Sequence, residues 1–207
     1  MRPAVLAIVL ANLVPFVGVL GFGWSSYDLF ALYWVENLVV ALFTVLRFWT
    51  AEPGGESPPL PALLFMTPFF LVHYGMFTFV HGVFIQAFLG DQQRLEAVGL
   101  PFGPLLLLQH ALAGAGALAV LGLLISHGVS FVTNFLRHER QHAELNRLMF
   151  APYGRVIAMH LTLLAGGALL LASGSPTLMT ALLVVAKTVV DIAAHRREHR
   201  LAAATID

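Results

Sequence analysis

Nine histidines and no cysteine stand among the 207 residues of this chain. Without thiols, disulfides, iron–sulfur ligation, thiolate zinc sites and cysteine nucleophiles are excluded together, and histidine with carboxylate is the strong metal-ligand chemistry that remains. Many of these groups lie inside apolar stretches, where each is costly and needs a partner. Tyr33, Glu36, Asn37, Thr44 and Arg47 form a stripe at helical spacing. His73 and His81 lie slightly more than two helical turns apart, near one face of a later stretch. His110 and His127 share a fourth stretch and its continuation, and His160 lies on a fifth. Lys187, Asp191 and His195 follow one another by a turn on the last.

A rise of roughly 1.5 Å per residue sorts these groups by depth. Glu36, His81 and His110 fall in one half of the bilayer, with His73 and Lys187 near the middle. His160 and Asp191 fall in the other half, and His127 and His195 at its rim. The inner layer can supply a transition metal with three or four ligands, because Asp191 and His195 share a helix face and His160 and His127 complete the set. His73 is a substitute ligand, and Ser130 and Asn134, on the face of His127, would orient the set. A divalent ion held there, zinc or another, with a bound water would be a hydrolytic centre. The simpler alternative is that Lys187 and Asp191 neutralise each other and the histidines bond neighbouring helices. In the outer layer, Glu36 with His81 and His110 reads as a second metal site, a proton relay, or a single charge-assisted hydrogen bond between helices. Glu36, His73, His81 and Asn134 are the candidate catalytic residues, and His127, His160, Asp191 and His195 the candidate metal ligands.

Two short patterns compete for attention. His138-Glu139-Arg140-Gln141-His142 reads as H-E-x-x-H, and His195-Arg196-Arg197-Glu198-His199 as its inverted form. In a zincin helix, two histidines one turn apart bind zinc and the glutamate activates water. Here arginines intrude between the ligands, and both segments read as solvated helix ends facing lipid headgroups.

The elements that must position these groups follow from composition. Apolar residues make up 58% of the chain and charged residues 11%, about half the charged fraction of a soluble domain. Mean hydropathy is +0.83. Lipid is the solvent that such a surface fits. Six apolar stretches are long enough to span a bilayer: 4–22, 29–49, 60–89, 104–125, 153–172 and 176–194. The first reads as a retained helix, since no cleavage site and polar mature region follow it. The third is longer than a span needs and should tilt or project. Residues 126–150 form the one long polar segment, a continuation of the fourth helix into the cytoplasm or along the membrane surface.

With the N-terminus inside, Arg2, Arg47, Arg137, Arg140, Arg147, Arg155, Arg196, Arg197 and Arg200 fall on the cytoplasmic flanks, and Arg94 alone on the other. That asymmetry orients both termini to the cytoplasm. The expected fold is thus an all-α polytopic bundle of about six transmembrane helices, one domain over residues 1–207, in the cell membrane. Zero net charge argues against nucleic acid. The bilayer is the expected partner, alongside a second copy of the chain or another membrane protein, and a substrate would be lipid-like or a small molecule.

Several strings occur together: Tyr33-Trp34-Val35-Glu36-Asn37, His73-Tyr74-Gly75-Met76-Phe77 with His81-Gly82, Ser126-His127-Gly128-Val129-Ser130-Phe131 with Asn134-Phe135, Ala151-Pro152-Tyr153-Gly154-Arg155 with His160, Gly174-Ser175-Pro176, and Lys187 with Asp191 and His195. They resemble an uncharacterised family of prokaryotic multi-pass membrane proteins, classed as a domain of unknown function. The likeness spans nearly the whole chain and implies a polytopic membrane fold. It brings no activity with it. Three functional expectations therefore rest on the residues: a membrane metal-binding protein or metal-dependent hydrolase, a proton-coupled transporter or channel using Glu36, His73, His81, Lys187 and Asp191, and a structural membrane subunit.

Overall fold

The computed structural model describes residues 25–204, with side chains through residue 189 and at Ile192. The expected first span, 4–22, lies outside the described residues. The described chain is helical. Its α-helices are α1 (Ser26–Thr50), α2 (Leu60–Leu89), α3 (Gln92–Val98), α4 (Gly103–Ala111), α5 (Gly114–Ser130), α6 (Leu145–Phe150), α7 (Tyr153–Ser173) and α8 (Pro176–Ala204). Among the described residues four helical segments are long and apolar enough to cross a membrane: Ser26–Gly55, Leu60–Leu89, Gly114–His142 and Leu145–Ser173. Pro176–Val189 is a shorter apolar helix. Exposed leucines on them, such as Leu118 at 72% exposure, match lipid and not water as the surrounding medium.

Local chemistry sets the boundaries. The Ser25 hydroxyl accepts from the Tyr27 backbone N–H at 3.0 Å and so caps α1. Gly54 and Gly55, at φ 68° and 88°, turn the chain after α1, a conformation open to glycine at no steric penalty. Pro68 stands inside α2, whose 30 residues exceed the length of a simple span. The Asp91 carboxylate accepts from the Arg94 backbone N–H and caps α3.

The expected continuous span over 104–125 is interrupted. Ala113 is extended and Gly114 adopts φ 52°, so α4 stops and α5 starts afresh. Glycines at 114 and 116 weaken helix continuity there. The consequence is a shift in register: the span becomes Gly114–His142. Its polar end does run on as helix, through a nine-residue π-helix, Phe131–Glu139, and a 3-10 turn, Arg140–His142.

The described chain divides into two compact units, with boundaries inside α1 and α7. In residues 30–156, Phe48, Leu63, Phe70, Tyr74 and Val156 form one buried cluster, and Ala51, Phe135 and Ala143 another. Here α2 packs on α4, and Gly82 makes the close approach possible. A Cβ at Gly82 would lie 2.9 Å from Trp34 Nε1 and 3.1 Å from Pro104 Cβ. In the other unit, which includes residues 25–29 and 157–204, Gly166 admits the Met179 side chain against α7. The Thr180 hydroxyl bonds that of Ser26 at 2.7 Å. Gly174, at φ 66°, turns α7 into α8.

A Gly82→Val variant should lose about 1–3 kcal/mol through overpacking. Thermal unfolding in detergent, read by tryptophan emission, will show a lower midpoint, because the added methyls displace Trp34 from the Thr78 carbonyl that its indole N–H reaches at 2.6 Å.

Candidate functional site

The polar stripe of α1 turns inward. Asn37 and Thr44 are buried, and the Thr44 hydroxyl bonds the Val40 carbonyl at 2.8 Å. Glu36 sits near the middle of α1 with its side chain 13% exposed. An ionised carboxylate at that burial needs a countercharge. Arg155, in the first turn of α7, supplies it: its Nη1 donates to Glu36 Oε1. On the α5 side, His127 Nε2 lies 3.9 Å from the same Oε1, with its ring 23% exposed. Phe43 stacks on the imidazole at a centroid distance of 6.0 Å, and Phe131 tilts against Phe43 at 5.7 Å. One carboxylate oxygen therefore faces a permanent cation and a group that can gain or lose a proton.

A second seam runs beside the first. The Asn37 amide donates to the Tyr33 carbonyl at 2.9 Å and accepts the Tyr74 hydroxyl at 3.2 Å. Tyr74 lies within electrostatic reach of Arg155 and Glu36. Its ring meets that of Tyr153 edge to face at 5.7 Å. The Tyr153 hydroxyl bonds His73 Nδ1 at 2.8 Å, and Phe69 and Phe77 fix the imidazole from two sides. At the end of α1, Arg47 lies over the Phe135 ring, 5.5 Å from its centroid, and its buried Nε has no hydrogen-bond partner among the described residues.

The structure sorts the expected site residues in its own way. Glu36 and His127, expected in opposite layers, meet. The break before Gly114 explains this: His127 is carried from the rim of a 104–125 span to near the midpoint of Gly114–His142. His73 joins Tyr153. His81 is buried on α2 and His110 is exposed on α4. Asn134 is exposed on the π-helix, where it bonds the Ser130 hydroxyl at 3.3 Å. His160 is half-buried on α7, in the other unit. The side chains of Asp191 and His195 lie outside the described residues, as does the inverted zincin pattern. Among the described residues no group of three histidine or acidic side chains comes together to hold a metal ion. In His138–His142, π-helix gives way to 3-10 turn, so the α-helical spacing that stacks two zinc ligands is not formed.

Arg155 and Tyr153 are the residues that spacing alone did not single out. Arg155 counts as a flanking cation in the charge asymmetry, and Tyr153 enters only as a member of the Ala151–Arg155 string. The signal available was the demand side: Glu36, alone in an apolar stretch, requires a cation, and arginines near span ends are the ones long enough to reach inward.

A family of unknown function, DUF6498, matches residues 1–206. This chain belongs to that family. No curated protein matches the chain, and no solved structure does.

Removing the cation while leaving the carboxylate should be the most damaging change at this site. Arg155→Gln is expected to lose about 1–3 kcal/mol, the half-exposed arginine reducing the effect from that of a fully buried pair. The Glu36→Gln/Arg155→Gln double variant should recover most of it. Thermal unfolding of the three proteins in one detergent checks the order.

Proposed function

We propose that this chain is a multi-pass protein of a prokaryotic cell membrane, with six spans and both termini in the cytoplasm, and that it moves protons, as a proton-coupled transporter or channel, through Glu36 and His127. The observation that carries the reading is Glu36 Oε1 held between Arg155 and His127, with Glu36 and His127 near the midpoints of their spans. Arginine keeps its charge at every accessible pH, so with Arg155 the carboxylate forms a neutral pair. Histidine changes charge near neutral pH. A proton arriving on His127 adds one positive charge beside the carboxylate, and its departure restores the neutral pair. His73 of α2 and Tyr153 of α7, bonded to one another, are a second pair of groups with exchangeable protons. Phe43 covers one side of the imidazole and is itself backed by Phe131.

The topology rests on the arginine asymmetry along the whole sequence. It predicts that a fluorescent protein fused to either terminus is bright and that alkaline phosphatase fused to either is inactive. An active phosphatase fusion at one end alone would require an odd number of spans.

For the activity, the purified protein is placed in liposomes loaded with a pH-sensitive dye, and a pH step is applied. Wild type should equilibrate protons faster than empty liposomes, and Glu36→Gln and His127→Ala should slow that flux by about tenfold or more, the factor expected for loss of one positioned proton carrier. Both variants must retain the wild-type oligomeric profile. Flux equal to wild type in both would leave the network a purely structural one.

A further inference from the structure

A groove lies between α3 and α4, away from the Glu36 network. It forms because these two helices close on one side only. Leu95 is buried, and Gly103 sits so close to α2 that a Cβ there would lie 3.2 Å from Gln86 Cβ and 3.6 Å from Leu95 Cδ1. Gly99, at φ 87°, reverses the chain between the helices. The opposite faces splay apart around a cavity of about 490 Å³, within the range of small-molecule sites.

Its walls are Val98, Phe102, Leu105 and Leu106, with Arg94 and Gln109 as the polar members. Val98, Phe102 and Leu105 are exposed, so among the described residues the trough is an open apolar surface. Arg94 makes no ion pair among the described residues. The neighbouring Asp91 carboxylate caps the Arg94 backbone N–H at 3.2 Å, and Glu96 is not part of the lining. One guanidinium above an apolar trough is complementary to an amphiphile with an anionic head and a single chain. A carboxylate matches the fork of arginine with two parallel hydrogen bonds, and the Gln109 amide offers a further donor. The volume suits a single chain with a small head.

We infer that the groove of Arg94, Phe102 and Leu105 binds a long-chain fatty acid, its carboxylate on Arg94. The site stands independently of the proton-handling network.

The test uses the full chain in phosphatidylcholine nanodiscs, with radiolabelled palmitate followed by scintillation proximity. Saturable binding is expected, with hexadecanol competing about tenfold less well than unlabelled palmitate, the factor for one charge-assisted bond. Arg94→Gln should weaken palmitate by about the same factor and leave hexadecanol unchanged, whereas Arg94→Lys keeps part of the preference. Leu105→Trp, verified as folded by its melting profile, should fill the trough and weaken both ligands. Equal competition by palmitate and hexadecanol, wild-type palmitate affinity in Arg94→Gln, or loss of palmitate binding when phosphatidylglycerol replaces phosphatidylcholine would each overturn the assignment, the last in favour of a phospholipid.

Discussion

A carboxylate placed halfway along an apolar helix is the constraint on which the rest of residues 30–156 depends. Glu36 is 13% exposed, and an ion so buried is tolerated only beside a countercharge with its lone pairs engaged. The answer is an arginine from the first turn of α7 and a histidine from α5. Three segments distant in sequence are therefore pinned to one oxygen atom. No apolar contact could do this, because in lipid one leucine face is much like another and dispersion alone specifies register poorly.

The neighbouring polar groups obey the same rule on a smaller scale. Tyr74 bonds Asn37, His73 bonds Tyr153 and Trp34 bonds the Thr78 carbonyl. Thr44, Thr78 and Thr133 turn back to the carbonyl four residues earlier, which satisfies a hydroxyl where water is scarce. The aromatic rings of Phe70, Tyr74 and Tyr153 then close over the seam. Arg47 departs from the pattern, with a buried Nε lacking a hydrogen bond among the described residues, and the face of Phe135 is what its guanidinium meets.

Helix type matters as much as helix position. The segment that follows α5 is π-helical and then 3-10, so residues four apart there do not stack as they would in an α-helix. The H-E-x-x-H string at 138–142 is thereby a pattern of letters without the geometry that gives it meaning. A glycine-induced break before Gly114 has the opposite effect. It moves His127 toward the centre of its span, where it meets a charge.

Much of the architecture was legible in the sequence because it follows from composition and length alone. Apolar stretches at 29–49, 60–89 and 153–172 became helices with nearly those limits, and the inward stripe of Asn37 and Thr44 follows from helical periodicity. The need of Glu36 for a partner was equally plain, since an acid in an apolar span cannot stand alone. Which partner it takes was decided by tertiary structure. Helix rotation and neighbour order have no sequence signature, and depth counted along a helix assumes that the helix does not break. The left-handed turn at Gly114 and the reach of the Arg155 side chain brought Arg155 and His127 to Glu36, where depth counting had set His81 and His110.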